Sequence, residues 1–139
     1  MVGQELIAHV RECRSGEIRI PFHVGEDRSR VWVITRQEGV LSLRHEHTHA
    51  DGAPDPITDY GGTATNAGRP GRQLFPADET TRVMIEPAFA NVWSLDIEPD
   101  RLLTYGLRRL GTEREYRVEF DLRHPVDLPP APWGGGRDE

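Results

Sequence analysis

Apolar and polar residues alternate with period two in short windows along most of this chain. The clearest window is residues 17–24, in which four apolar side chains share one face: Ile18, Ile20, Phe22 and Val24. Successive side chains of a β-strand point to opposite faces of a sheet, so the pattern predicts strands with one buried face. The strands predicted on this basis cover residues 5–11, 17–24, 30–36, 40–48, 80–85, 89–97, 102–109 and 114–122.

Turn-forming residues separate these windows. The chain has 14 glycines and 11 prolines in 139 residues, which favours many short elements joined by turns over long helices. Short strands at this spacing usually close into a barrel or a sandwich. The sequence therefore predicts an all-β fold, an antiparallel up-and-down β-barrel or barrel-like sandwich of about eight to nine short strands, calycin-like in pattern only.

The alternating pattern ends near residue 124. A chain of 139 residues is close to the size of one domain. Residues 125–139 are rich in proline and glycine, and proline cannot donate to a strand ladder. We therefore expect a single β domain over residues 1–124 and a flexible Pro/Gly-rich C-terminal tail over residues 125–139. Residues 51–72, which are also polar and rich in glycine and proline, are interpreted as a long loop.

Charge and composition exclude some classes of partner. The 17 basic residues are all arginine and face 23 acidic residues, which gives a net charge of -6 without a long basic run. We therefore expect no nucleic-acid partner, and no membrane partner because no apolar run approaches the ~20 residues of a span. The lone Cys13 cannot form an internal disulfide. We expect a soluble protein, cytoplasmic by default or exported if a signal peptide has been removed, and the oligomeric state, homodimer included, stays open.

The most distinctive segment is residues 41–51, which read LSLRHEHTHAD. In a strand, His45, His47 and His49 continue the apolar face of Leu41 and Leu43. Same-face neighbours lie about 7 Å apart, and two imidazoles so placed can converge on one ion at about 2 Å. The segment predicts a site for a divalent transition metal (Zn, Ni or Cu) with a metal-ligand set of four residues: His45, His47, His49 and Asp51. Histidines that only rim a cleft, or that hydrogen-bond to neighbouring strands, explain the same pattern.

Part of this segment resembles a known metal motif. Gly39, then His45-x-His47 and an acid at Asp51, is similar to the first metal-binding motif of cupins. The resemblance is confined to residues 39–51. It implies a metal ion held by the two histidines and the acidic residue, and it extends the metal hypothesis to a metal-dependent enzyme.

Aromatic residues also fall on alternating strand positions. Four of them are candidate ligand-binding residues: Trp32, Tyr60, Trp93 and Tyr105. Aromatics in this pattern also form plain hydrophobic core, and the sequence does not separate the two interpretations. The leading hypothesis is a β-barrel that binds a small molecule or a metal ion at a histidine-lined end. The alternatives are an enzyme with a cupin-like metal site or a histidine acid and base, and a non-catalytic interaction domain.

Overall fold

Two antiparallel β-sheets form the fold in a computed structural model, which describes residues 3–134. The first sheet consists of β1 (Leu6–Ala8), β2 (Glu12–Arg14), β3 (Glu17–Val24), β4 (Asp27–Gln37), β5 (Val40–His47) and β6 (Tyr60–Thr63). The second sheet consists of β7 (Arg72–Pro76), β8 (Asn91–Glu98), β9 (Leu102–Arg109) and β10 (Glu115–Asp121). The predicted all-β fold is confirmed.

The strand order shows how the two sheets meet. The first sheet has the order β1-β3-β4-β5-β6, with β2 also paired to β3, and the second has the order β10-β9-β8-β7. An isolated bridge between Gly62 and Ala77 connects the sheets beside β6 and β7. On the far side, β3 and β10 approach through side chains, with the Phe22 and Phe120 rings 5.9 Å apart. Within residues 3–134 the ladders do not close into the predicted barrel, because this second contact is side-chain packing without a ladder.

Aromatic rings fill the space between the sheets. The Trp32 ring on β4 stacks on Phe22 at 4.7 Å and on Tyr105 of the second sheet at 4.4 Å. Leu43 on β5 is fully buried beside them, and Phe75 on β7 is 1 % exposed. The inward faces of both sheets therefore supply one shared hydrophobic cluster, as the period-two pattern predicts.

Glycine allows the sheets to approach each other closely at β6. A Cβ atom added to Gly62 would lie 2.5 Å from the carbonyl oxygen of Phe75 and 2.4 Å from that of Pro76. Any larger residue would force β6 away from the end of β7. The Gly-rich segment that the sequence analysis interprets as loop therefore contains a strand, and this part of the interpretation is wrong.

The predicted strand over residues 80–85 is also wrong. These residues form a short helix, α1 (Glu79–Met84), followed by a 3-10 helix (Glu86–Ala90). The Asp78 side chain caps α1 by accepting a hydrogen bond from the Thr81 backbone amide, and such a cap satisfies an amide that the helix leaves unpaired. The predicted strand over residues 5–11 is interrupted and becomes β1 and β2. Within residues 3–134, no helix is both long enough and apolar enough to cross a membrane.

The C-terminal segment packs against the outer face of the first sheet. The carbonyl oxygen of Pro130 lies 2.9 Å from His23 Nε2, and that of Ala131 accepts a hydrogen bond from the Arg28 guanidinium at 2.8 Å. The Trp133 amide donates to the Arg28 carbonyl oxygen, and Ala131 is 7 % exposed. The expectation of a flexible tail is therefore corrected for residues 129–133, because their carbonyl oxygens accept hydrogen bonds from the first sheet even though the prolines have no amide to donate. Residues 135–139 lie outside the described residues.

The face assignment of β5 gives a first prediction. Replacing Leu43, which is 0 % exposed, by aspartate puts a carboxylate into the shared cluster. We expect Leu43→Asp to lower the free energy of unfolding by about 4 kcal/mol or more. The matched control Ser42→Asp places its charge on the opposite face and should cost within about 1 kcal/mol. Chemical denaturation measures both, and equal effects would contradict the assignment.

The packed C-terminal segment gives a second prediction. A chain that ends at Leu128 should melt at a temperature about 5 °C or more below that of a chain that ends at Gly134. The shorter chain loses three hydrogen bonds and the burial of Ala131. Both chains lack residues 135–139, so the comparison isolates residues 129–134. Equal midpoints in differential scanning calorimetry would show that this contact contributes nothing.

Candidate functional site

A cleft of about 340 Å³ opens between the two sheets at the end where β5 carries its histidines. Both sheets contribute to its lining, which includes the aromatic side chains of Trp32, Tyr60, Tyr105 and Tyr116. His45 and His47 line the same cleft. The volume is at the lower end of the range of ~300–1,000 Å³ that is usual for small-molecule sites.

His45 forms the buried wall of the cleft. The residue is 8 % exposed, and its Nδ1 lies 3.0 Å from the carbonyl oxygen of Tyr60. A carbonyl oxygen only accepts, so Nδ1 carries the proton and donates it. The Nε2 atom is then the acceptor, and the Tyr105 hydroxyl donates to it at 2.8 Å. The two bonds fix the ring in one tautomer and one orientation.

Aromatic packing holds the His45 ring from its sides as well. The ring stacks on Tyr60 with a centroid distance of 4.8 Å and an angle of 2° between the planes. Trp93 packs against it at 5.1 Å. The alternation of β5 explains the position, because His45 follows Leu43 on the inward face. His45 is therefore a satisfied core histidine that contributes one surface to the cleft.

Burial controls the protonation of this histidine and its tyrosine partner. Desolvation lowers the pKa of His45 from 6.5 to about 4. The positive charge of Arg44 also lowers this pKa, whereas the hydrogen bond to the Tyr60 carbonyl raises it and offsets part of the shift. Burial also raises the pKa of the Tyr105 hydroxyl well above its usual value. At neutral pH the imidazole is uncharged and the phenol keeps its proton. His45 therefore keeps the same charge throughout the neutral pH range, in which a general acid or base has to gain and lose a proton.

Three of the four predicted ligand-binding aromatics line the cleft. Trp32, Tyr60 and Tyr105 do so, whereas Trp93 is 2 % exposed and lies in the core against His45. Trp93 is therefore a supporting residue and does not line the site. Sequence reasoning missed Arg30 as a site residue, although the signal was present, since Arg30 shares the inward face of β4 with Trp32.

The structure separates the predicted metal ligands. Both ring nitrogens of His45 are used in the core, so this residue is not grouped with His47 and His49. The rings of His47 and His49 lie 6.5 Å apart, and His49 Nε2 donates to the Asp55 carboxylate at 2.7 Å. Asp51 caps its own turn by accepting a hydrogen bond from the Ala53 amide. In residues 3–134 no group of three or more histidine, cysteine or acidic side chains is arranged to hold a metal ion.

Comparison with known proteins finds no family model that matches the chain, and no curated protein or solved structure that is similar to it. The cupin-like spacing of residues 39–51 has no counterpart in these comparisons, and the first histidine of that motif has both nitrogens engaged. The function has to be inferred from the geometry of the cleft and the chemistry of its side chains.

The lowered pKa of His45 gives a third prediction. The pKa is about 4 in the folded state against 6.5 for an unperturbed histidine, so between these values only the unfolded chain binds the proton. Stability due to this residue is therefore present above pH 6.5 and is lost as the pH falls towards 4, by about 3 kcal/mol in total. Substituting His45→Gln should flatten that part of the stability-against-pH curve.

Urea denaturation at a series of pH values between 4 and 7 measures this slope. The control Ser42→Ala changes no titratable group, so its curve should run parallel to that of the wild type. The comparison uses the slope because His45→Gln also lowers stability at every pH. Identical slopes for His45→Gln and the wild type would mean that His45 is not the group that couples folding to protons.

Proposed function

We propose that this protein binds a small organic molecule in the cleft between its two sheets. The observation that carries the proposal is a cleft of about 340 Å³ that is lined by five aromatic side chains together with two histidines and four charged residues. Ligand sites in proteins typically combine an apolar, largely aromatic lining with a small number of placed polar groups. This is the small-molecule form of the function predicted from the sequence, with the histidine-lined end of β5 as its location.

The rigidity of the cleft wall supports the proposal. Tyr105 is fixed on one side by its hydrogen bond to His45 and on the other by stacking on Trp32 at 4.4 Å. Its ring also meets Tyr116 edge to face at 6.0 Å. A ligand that enters such a site does not have to order these side chains, so less of the interaction energy is lost to conformational entropy.

Other functions predicted from the sequence stay predictions. Metal binding and metal-dependent catalysis depend on His47 and His49, since His45 is occupied in the core. An acid and base mechanism depends on His47 for the same reason, because it lines the cleft and is half-buried. The interaction-domain hypothesis draws on exposed apolar side chains, among which Val83 is 79 % and Phe89 is 68 % exposed. Small-molecule binding is the function that the cleft supports best.

A screen with a cleft-filling variant tests the proposal. Leu107 on β9 lines the cleft, and Leu107→Trp introduces an indole into its space. We expect a library of several hundred aromatic fragments to give binders of the wild type by saturation-transfer NMR, and we expect the variant to lose most of them. The matched control Leu74→Trp adds the same indole on β7 at a side chain that is 40 % exposed, and it should keep the binders.

Two results would contradict small-molecule binding in this cleft. One is a library that yields no binder of the wild type. The other is a set of binders that Leu107→Trp and Leu74→Trp retain equally, because those compounds would then bind elsewhere. Circular dichroism of both variants checks that the tryptophan has not unfolded the protein.

A further inference from the structure

Arg30 brings a positive charge to the mouth of the cleft. It lies on the inward face of β4, where it pairs with Phe22 of β3 on one side and His47 of β5 on the other. Its side chain is 34 % exposed, and Nη1 donates to the Asp27 carboxylate at 2.8 Å. Asp27 does not line the cleft. A guanidinium has five N–H donors, and the bond to Asp27 uses one of them.

Charged side chains of both signs line the cleft. Formal charges at neutral pH come from four lining residues: Arg30, Arg114, Glu46 and Glu115. Glu46 forms an ion pair with Arg19, and Glu115 lies 3.4 Å from Arg108, so arginines outside the lining neutralise both acids. Within residues 3–134, Arg114 has no ion pair of its own. Arg30 is itself paired with Asp27, so Arg114 is the lining charge that the described residues leave without an ion pair, and Arg30 offers a ligand the N–H donors that Asp27 leaves free.

Tyrosine hydroxyls provide hydrogen-bond donors beside this charge. Burial raises the pKa of Tyr60, Tyr105 and Tyr116, while the positive charge of Arg30 acts in the opposite direction on each of them. The three tyrosines line the same cleft as Arg30, and their hydroxyls keep their protons at neutral pH. Tyr105 donates its proton to His45. Within residues 3–134, no side chain or backbone group accepts a hydrogen bond from the Tyr60 hydroxyl.

We propose that the ligand of this cleft carries a carboxylate, or a similar small anionic group, on a flat aromatic body, and that Arg30 binds the anionic group. A planar guanidinium matches a carboxylate through paired N–H donors, and the Tyr60 hydroxyl supplies a further donor. The aromatic walls accept a flat ring by stacking. The inference rests on the proposed small-molecule function and adds the chemical class of the ligand.

Three compounds with one ring system and different head groups test the class of ligand. They are 2-naphthoate, its neutral analogue 2-naphthamide and the cationic 2-naphthylmethylammonium. By titration calorimetry at low ionic strength we expect 2-naphthoate to bind about tenfold or more tightly than the amide, and the cation to bind most weakly. Raising the salt concentration should weaken 2-naphthoate and leave the amide unchanged, because salt screens only the charged interaction.

Variants assign the preference to Arg30. Arg30→Met keeps the length of the side chain and removes its charge, so it should abolish the preference for 2-naphthoate over the amide. Arg30→Lys keeps a positive charge without the paired N–H donors, so it should retain part of the preference that Arg30→Met loses. The control Arg117→Met removes an arginine on the outer face of β10, where it pairs with Glu119 at 3.3 Å, and should bind as the wild type does. Thermal unfolding verifies that each variant is folded, and Arg30→Gln, which also removes the charge, replaces Arg30→Met if that variant is not.

The outcomes separate this inference from the proposed function. If the amide or the cation binds as tightly as 2-naphthoate, or if Arg30→Met keeps the preference, the anionic class is wrong while binding in the cleft stands. If none of the three compounds binds, the aromatic carboxylate is wrong, and the fragment screen with Leu107→Trp decides separately whether the cleft binds other molecules. A preference for 2-naphthoate that is lost in Arg30→Met and kept in Arg117→Met establishes the inference.

Discussion

The buried imidazole of His45 is the polar contact on which the arrangement of the two sheets depends. Its Nδ1 donates to the Tyr60 carbonyl in the first sheet, and its Nε2 accepts from the Tyr105 hydroxyl in the second. A buried polar group left without a partner costs about 1–3 kcal/mol, so any shift of one sheet against the other would break a bond that water cannot replace. Apolar packing alone would tolerate such a shift more easily.

The cleft follows from this constraint. Level with His45, Trp32 on the neighbouring strand β4 stacks between Phe22 and Tyr105 and holds the two sheets together. Two residues before Trp32 on β4, beside His47, the inward side chain is Arg30, which is 34 % exposed because a charged group is rarely buried unless it is fully paired. The core therefore ends at Trp32 and Tyr105, and the space above them is bounded by aromatic faces and a guanidinium. This end of the domain therefore offers a ligand both an aromatic surface and a guanidinium.

Local pattern predicted much of the framework. The windows for β3 and β9 match the observed strands, because in both a buried face alternates with a polar one. The pattern failed at β6, where two glycines give no alternation and a neighbouring sheet edge selects the extended form. It also failed at α1, where the capping bond from Asp78 outweighs the apparent alternation. Of the aromatic residues predicted to bind a ligand, Trp32, Tyr60 and Tyr105 line the cleft, and Arg30 lines it without having been predicted.

The sequence by itself determined which side chains face inward, because the period of a strand is a local property of the backbone. It placed His45 and His47 on one face of β5 together with Leu43. Only the tertiary structure decided how deep each lies, since β5 ends at His47 and His49 falls in the turn beyond, where the alternation no longer holds. The partner of His45 is 60 residues away on the other sheet, and packing between sheets chooses such a pair. For that reason the three histidines of this segment became one core residue, one half-buried lining residue and one exposed residue that is hydrogen-bonded to Asp55.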